Sequence, residues 1–183
     1  MLADAIDVIE TVVIRSDEEM LVHPLLIGQL LALLGFANGT PLMVKKVLGP
    51  VLARPIDGGA VLTDGQPLFG ASKTIRGVAS SLALTALAAP VVGLSWKIGF
   101  VVSASAMGGD LFSSFAKRRM KLEASSMALG LDQVPESFLP ALACRPLLHL
   151  SGLDIMFVTA LFFCLELILS RALYTLNLRD RPY

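Results

Sequence analysis

The sequence predicts an all-α integral membrane protein, one domain over residues 1–183, with about five transmembrane helices and two long polar cytoplasmic loops. Three observations predict it. Apolar residues make up 55% of the chain and mean hydropathy is +0.72, while charged residues supply only 16%. Soluble domains carry about 25% charged residues, so a soluble surface built from this chain would lack groups to face water. Charge-poor runs long enough to cross a bilayer recur along the sequence, and the basic residues gather in the segments between them. This composition excludes a water-soluble enzyme, a disordered chain and a disulfide scaffold. The two cysteines, Cys144 and Cys164, lie isolated in apolar runs and read as small buried hydrophobes.

Residues 1–23 hold Asp4, Asp7, Glu10, Asp17, Glu18 and Glu19 against Arg15 alone. A secretory leader would open with positive charge, so this stretch reads as a short amphipathic lead-in helix and not as a signal peptide. From Met20 to Val44 the only ionisable side chain is His23, which places a first span at about 22–37, closed by the breakers Gly35, Asn38, Gly39 and Pro41. Gly77 to Trp96 has no ionisable residue and gives a second span at 77–95. Trp96 and Lys97 read as an interface turn, since an amphipathic pair of this kind sits at headgroup level. A third span follows at 98–115. Pro135, Pro140, Arg145 and Pro146 interrupt the fourth, at 134–150, which marks it as short, kinked or re-entrant, and the fifth runs over 155–173.

Five spans put the termini on opposite sides of the membrane. The loops 38–76 and 116–133 and the C-terminal tail then share one face, and they carry Lys45, Lys46, Arg54, Lys73, Arg76, Lys117, Arg118, Arg119, Lys121, Arg179 and Arg181. The positive-inside rule makes that face cytoplasmic and leaves the N-terminus outside, in a multi-pass protein of the cell membrane.

The polar residues of those loops form one candidate site. Asp110, Ser113, Ser114 and Lys117 recur at helical spacing and fall on a single stripe joining a carboxylate to a cation. The Lys117–Lys121 cluster by itself reads equally well as a solvated helix end with snorkelling side chains. Asp110 does not read that way: it lies in an apolar run beside Gly108 and Gly109, small residues that admit close approach. Asp132 lies on the same predicted face. Two carboxylates among many cations suit Mg²⁺, an ion held by one or two carboxylates together with substrate phosphates. No Cys or His pair has zinc-ligand spacing. The run Asp64 to Thr74 is not a Walker A loop, because Ala71 and Ser72 intervene after Gly70 and no strand precedes. It does open the second span, where a helix N-terminus flanked by Lys73 and Arg76 attracts phosphate. His23 and His149 fall at the opposite ends of their spans, far from the basic clusters, and are not expected to act as general bases.

Several of these runs occur together in one known family. Ala37-Asn38, Arg54-Pro55-Ile56-Asp57-Gly58-Gly59, Asp64-Gly65 through Gly70, Lys73-Thr74, Arg76-Gly77, Gly109-Asp110, Ser113-Ser114-Phe115, Lys117-Arg118-Arg119 and Leu131-Asp132-Gln133 make the chain from about Leu34 onward resemble the archaeal CDP-archaeol synthases, relatives of the membrane phosphatidate cytidylyltransferases. The resemblance implies Mg²⁺-dependent transfer of the cytidylyl group of CTP to an isoprenoid ether-lipid phosphate, 2,3-bis-O-geranylgeranyl-glycerol 1-phosphate. The products would be CDP-archaeol and pyrophosphate. It further implies Asp110 and Asp132 as metal ligands, with Lys117 and Arg118 contacting the triphosphate. Asn38, Asp57, Ser72, Lys73, Thr74, Arg76, Ser113 and Arg119 are implied as substrate-binding groups. The bacterial relatives carry His-Gly-Gly before the second acid and Arg after it; here Gln133 follows Asp132 and the His-Gly-Gly is missing. The partners so implied are CTP, the lipid phosphate and the bilayer, with no nucleic acid. Two other readings stay open on the residues alone: a small ion transporter, which would bury Asp110 and Glu166 without needing gathered cations, and a protein that binds anionic lipid through its basic loops.

Overall fold

The computed structural model describes residues 21–122 and 128–175. The lead-in helix expected before Leu21, the tail with Arg179 and Arg181, and the middle of the 116–133 loop lie outside the described residues. The rest folds as five α-helices: α1 Pro24–Leu48, α2 Ile75–Ala88 with a 3-10 turn at Ala89–Val92, α3 Trp96–Arg119, α4 Gln133–Leu148 and α5 Gly152–Thr175. Four of them, α1, α2 with its 3-10 turn, α3 and α5, are long and apolar enough to cross a membrane. The exterior is rich in apolar side chains, with Leu25, Leu87, Val91, Met156 and Ile168 all more than half exposed, while Ser81, Thr85, Ser103 and Ser137 are buried. Small polar residues between helices and large apolar ones outside are what a lipid solvent selects.

Three expected boundaries move. α1 does not stop near residue 37: it runs on through Gly35, Asn38, Gly39 and Pro41 to Leu48. A proline at 41 cannot donate to the Ala37 carbonyl. Ser81 of α2 supplies the missing donor, its hydroxyl reaching that carbonyl at 2.8 Å. α3 begins at Trp96, so the turn expected at Trp96-Lys97 is made by Gly93–Ser95, with Gly93 in the left-handed region at φ 83°. At its other end α3 continues past Phe115 to Arg119, and Lys117 and Arg118 are buried. The 134–150 segment is helical, but α4 has only 16 residues, about 24 Å of helix against a core about 30 Å thick. Pro140 and Pro146 remain inside it.

The helices pack through points of close backbone approach. A Cβ at Gly99 would lie 2.6 Å from the Thr85 carbonyl of α2, and one at Gly109 would lie 2.4 Å from the Pro135 carbonyl of α4. Leu30, Leu33 and Leu34 of α1, Val102 and Ala106 of α3, Cys144 of α4 and Val158 of α5 form one buried core. At the end of the bundle where α1 and α5 begin, Asp154 is fully buried and its carboxylate makes three contacts with two residues. It accepts from the His23 backbone N–H at 2.7 Å, lies 2.6 Å from His23 Nδ1, and accepts from the Ser151 N–H at 2.9 Å.

Candidate active site

At the opposite end the chain between α1 and α2 is folded back on itself. Ile56 donates to the Lys73 carbonyl at 2.8 Å and Ile75 to the Arg54 carbonyl at 3.0 Å; Leu68 donates to Ala60 at 2.9 Å and Leu62 to Gln66 at 3.0 Å. Asp57 ties the tip of this loop, its carboxylate accepting from Gly59 and Phe69 at 3.0 Å and from Gly70 at 3.2 Å. Burial works against ionisation of Asp57, but the amides of Phe69, Gly59 and Gly70 together outweigh it and hold the carboxyl below its usual range. Arg119, from the last turn of α3, reaches across to Asp64 at 2.5 Å and to the Pro67 carbonyl at 2.6 Å, with its guanidinium over the Phe115 ring. Arg76 donates to the carbonyls of Gly49, at 2.6 Å, and Val51. The loop is thus fastened to the ends of α1, α2 and α3.

That fastening delivers Lys73 to Asp110. The ammonium lies 2.5 and 2.6 Å from the two carboxylate oxygens, and both side chains keep about a quarter of their surface exposed. Two helical turns further along α3, Lys117 meets Asp132 at 2.7 Å. Seven residues of helix, about 10 Å of rise, separate the backbone positions of Asp110 and Lys117. The buried state of Lys117 and Arg118 is not that of a snorkelling helix end: Lys117 is covered because Asp132, at the start of α4, neutralises it. Asp132 also accepts from the Ala128 N–H at 3.0 Å, and Gly130 donates to Gln133 Oε1 at 2.8 Å, which fixes the entry into α4.

A cavity of about 560 Å³ opens beside the first pair, between the end of α1, the loop, the start of α2 and the middle of α3. It brings together Ser72, Lys73, Thr74, Arg76 and Asp110 from the expected site. The other expected residues do not line it. Asp57 and Arg119 organise the loop. Ser113 is buried and gives its hydroxyl proton to the Gly109 carbonyl at 2.6 Å. Asn38 lies in α1, with Nδ2 buried and unbonded among the described residues. The α2 N-terminus is less open than its position suggests, because Ile75 donates to Arg54 and Gly77 donates to the Thr74 hydroxyl at 3.2 Å.

One acid escaped the sequence reading. Glu136, in the first turn of α4, is buried within hydrogen-bonding reach of Asp110, with Lys73 and Glu166 nearby. The close approach of Pro135 and Glu136 to Gly109 places it there. Its signal was an acid one helical turn beyond Asp132, in a segment rich in prolines. Among the described residues no three His, Cys, Asp or Glu side chains converge as a complete metal cage. The donors present are hard carboxylate oxygens, Asp110 beside Glu136 and Asp132 beside Lys117, which suits an ion whose remaining ligands are phosphate and water.

Residues 40–183 match the CarS-like family of CDP-archaeol synthases. The chain is 30% identical to a CDP-archaeol synthase of Sulfolobus acidocaldarius over 169 residues, covering 86% of this chain and all of that protein. It is 38% identical to one from Thermococcus onnurineus over 110 residues, or 54% of this chain and 61% of that protein. The chain thus spans about three fifths of the length of the Thermococcus and Pyrococcus relatives that it matches. A solved structure described as an intramembrane enzyme for archaeal membrane lipids biosynthesis superposes with a TM-score of 0.58. It is 31% identical, over 75% of this chain and 90% of that one.

Proposed function

The chain belongs to the CarS-like family of CDP-archaeol synthases, and from that premise we propose that it transfers the cytidylyl group of CTP to an archaeal ether-lipid phosphate, 2,3-bis-O-geranylgeranyl-glycerol 1-phosphate. A phosphate oxygen of the lipid attacks the α-phosphorus of CTP. The bond from that phosphorus to the α–β bridging oxygen breaks, its electron pair leaves with pyrophosphate, and CDP-archaeol remains. The observation that carries this reading is the two lysine–aspartate contacts made along α3, Lys73–Asp110, which lines the cavity, and Lys117–Asp132 toward the helix end.

A phosphate monoester has its second pKa near about 6 and is mostly dianionic at neutral pH. The lipid phosphate therefore needs no protein base, and no histidine lies among the residues of the two pairs or the cavity. What the protein must supply is positioning of two mutually repelling anions and stabilisation of charge on the leaving pyrophosphate. Lys117 and Arg118 face the triphosphate in this reading; Lys73, Ser72, Thr74 and Arg76 serve the groove where the substrates meet. Asp110 and Asp132 would hold Mg²⁺, which when bound neutralises phosphate oxygens that the lysines alone would leave repelling. Orientation with the site end cytoplasmic and the His23–Asp154 end outside accords with the basic residues gathered at the site end.

The deciding experiment is release of pyrophosphate by the purified chain in mixed micelles, with Mg²⁺, across four nucleotides and several lipid phosphates. Turnover with CTP and an ether-lipid phosphate, abolished by chelation of the metal, is expected. Absence of turnover with every nucleotide would reject the reading, and metal-independent turnover would reject the assignment of Asp110 and Asp132 as metal ligands.

A further inference from the structure

We propose that the cavity between α1, the loop, α2 and α3 receives the phosphate monoester head of the lipid substrate, and that Lys45 is the cation that fixes it there. The proposal rests on the cytidylyltransferase reading and assigns one of its two anionic substrates to one side of the site.

Three cations line the cavity, and two are already engaged. Lys73 is held by Asp110 at 2.5 Å, and Arg76 is spent on the carbonyls of Gly49 and Val51. Lys45, in the last turn of α1, is exposed and lines the same space, and its ammonium makes no hydrogen bond or ion pair among the described residues. Of the three, Lys45 has an ammonium open to an added anion such as a phosphate monoester, which is mostly dianionic near neutral pH. A nucleoside triphosphate carries more charge, and the buried cations that would meet it, Lys117 and Arg118, are not part of this cavity.

The walls point the same way. Pro41, Val78, Met107 and Leu111 give the cavity an apolar side. Leu52, between the lining residues Pro50 and Ala53 in the chain, is exposed at 75%. A headgroup held by Lys45 would have its glycerol and first isoprenoid carbons against apolar surface. Lys73, held at the edge of the cavity by Asp110, is the second cation that such a phosphate oxygen would meet.

Lys46 supplies an internal control. It sits in the same last turn of α1 and is also exposed, so it shares any effect of interfacial charge or of the helix dipole, but it does not line the cavity. KM for lipid phosphate, as mole fraction in mixed micelles, and KM for CTP should be measured for wild type, Lys45→Gln, Lys45→Arg and Lys46→Gln. Loss of one charge-assisted contact is expected to raise KM for the lipid on the order of tenfold in Lys45→Gln, with KM for CTP within about twofold. Lys45→Arg should restore most of the loss, and Lys46→Gln should behave as wild type. A rise in KM for CTP instead would hand the cavity to the nucleotide and overturn the proposal. Equal effects of Lys45→Gln and Lys46→Gln would reduce Lys45 to interfacial charge and also overturn it. A second arm needs no turnover: calorimetric binding of a short-chain dialkylglycerol phosphate, against the same dialkylglycerol without phosphate, to wild type and Lys45→Gln. If wild type turns over no nucleotide, the cytidylyltransferase reading fails while this arm still decides the cavity; phosphate-independent binding there rejects the proposal.

Discussion

At the scale of single residues, each acid of the site is set against a lysine, so charge and shape can be separated. Asp110→Asn and Asp132→Asn preserve volume and remove a metal-binding charge, and each is expected to lower turnover on the order of 10²-fold or more at saturating Mg²⁺. Folded protein with wild-type rates in either variant would remove that residue from the chemistry. Glu136 is the neighbour to test beside them, because its carboxyl shares a corner with Asp110. Glu136→Gln should raise the Mg²⁺ concentration needed for half-maximal turnover several-fold; an unchanged Mg²⁺ dependence would leave Glu136 as a packing group. His23 takes a role that its position in the sequence did not announce. It is the partner of a fully buried carboxylate, so His23→Ala should spare the chemistry and cost about 1–3 kcal/mol of stability by leaving Asp154 short of a partner. His149 is exposed in a left-handed C-cap with no such partner among the described residues, and His149→Ala should be far milder in the same unfolding measurement.

At the scale of elements, the site depends on how closely α3 and α4 approach. A methyl group at Gly109 would collide with the Pro135 carbonyl, whereas one at Gly108 meets nothing within 4 Å. Gly109→Ala must therefore push away the start of α4, with Asp132 and Glu136 on it, at a cost of about 1–3 kcal/mol from overpacking and with loss of activity. Gly108→Ala should be silent in both assays, and equal behaviour of the two would contradict the packing. The loop between α1 and α2 has its own pH dependence. Because the Asp57 carboxyl is held below its usual range, its grip on Gly59, Phe69 and Gly70 is complete above about pH 4 and fades as pH falls through the lowered value. Hydrogen exchange of the Phe69 and Gly70 amides, corrected for intrinsic rates, should stay slow down to that pH and quicken below it. In Asp57→Asn it should be fast throughout.

At the scale of the whole molecule, the alternation of helix directions places the start of α1 and the end of α5 at opposite ends. Single cysteines near Ala3 and Tyr183, in a cysteine-free background, are expected to label from opposite sides of sealed vesicles. Same-side labelling would mean that α4, with its 16 residues, does not carry the chain across. The sequence by itself determined the class of the protein and the approximate place of the helices among the described residues, because composition and charge-free length are local properties that a lipid solvent reads directly. Local signals misled where a tertiary partner cancelled them. Pro41 looked like a helix end until Ser81 satisfied the carbonyl it orphaned, and Lys117 and Arg118 looked too polar to bury until Asp132 came alongside Lys117. Which lysine faces which acid, that Glu136 joins Asp110, and that Lys45 rather than Lys46 reaches the cavity were decided only by the tertiary structure. These depend on distances between residues far apart in the chain, fixed by helix packing at Gly99 and Gly109 and by the folded loop.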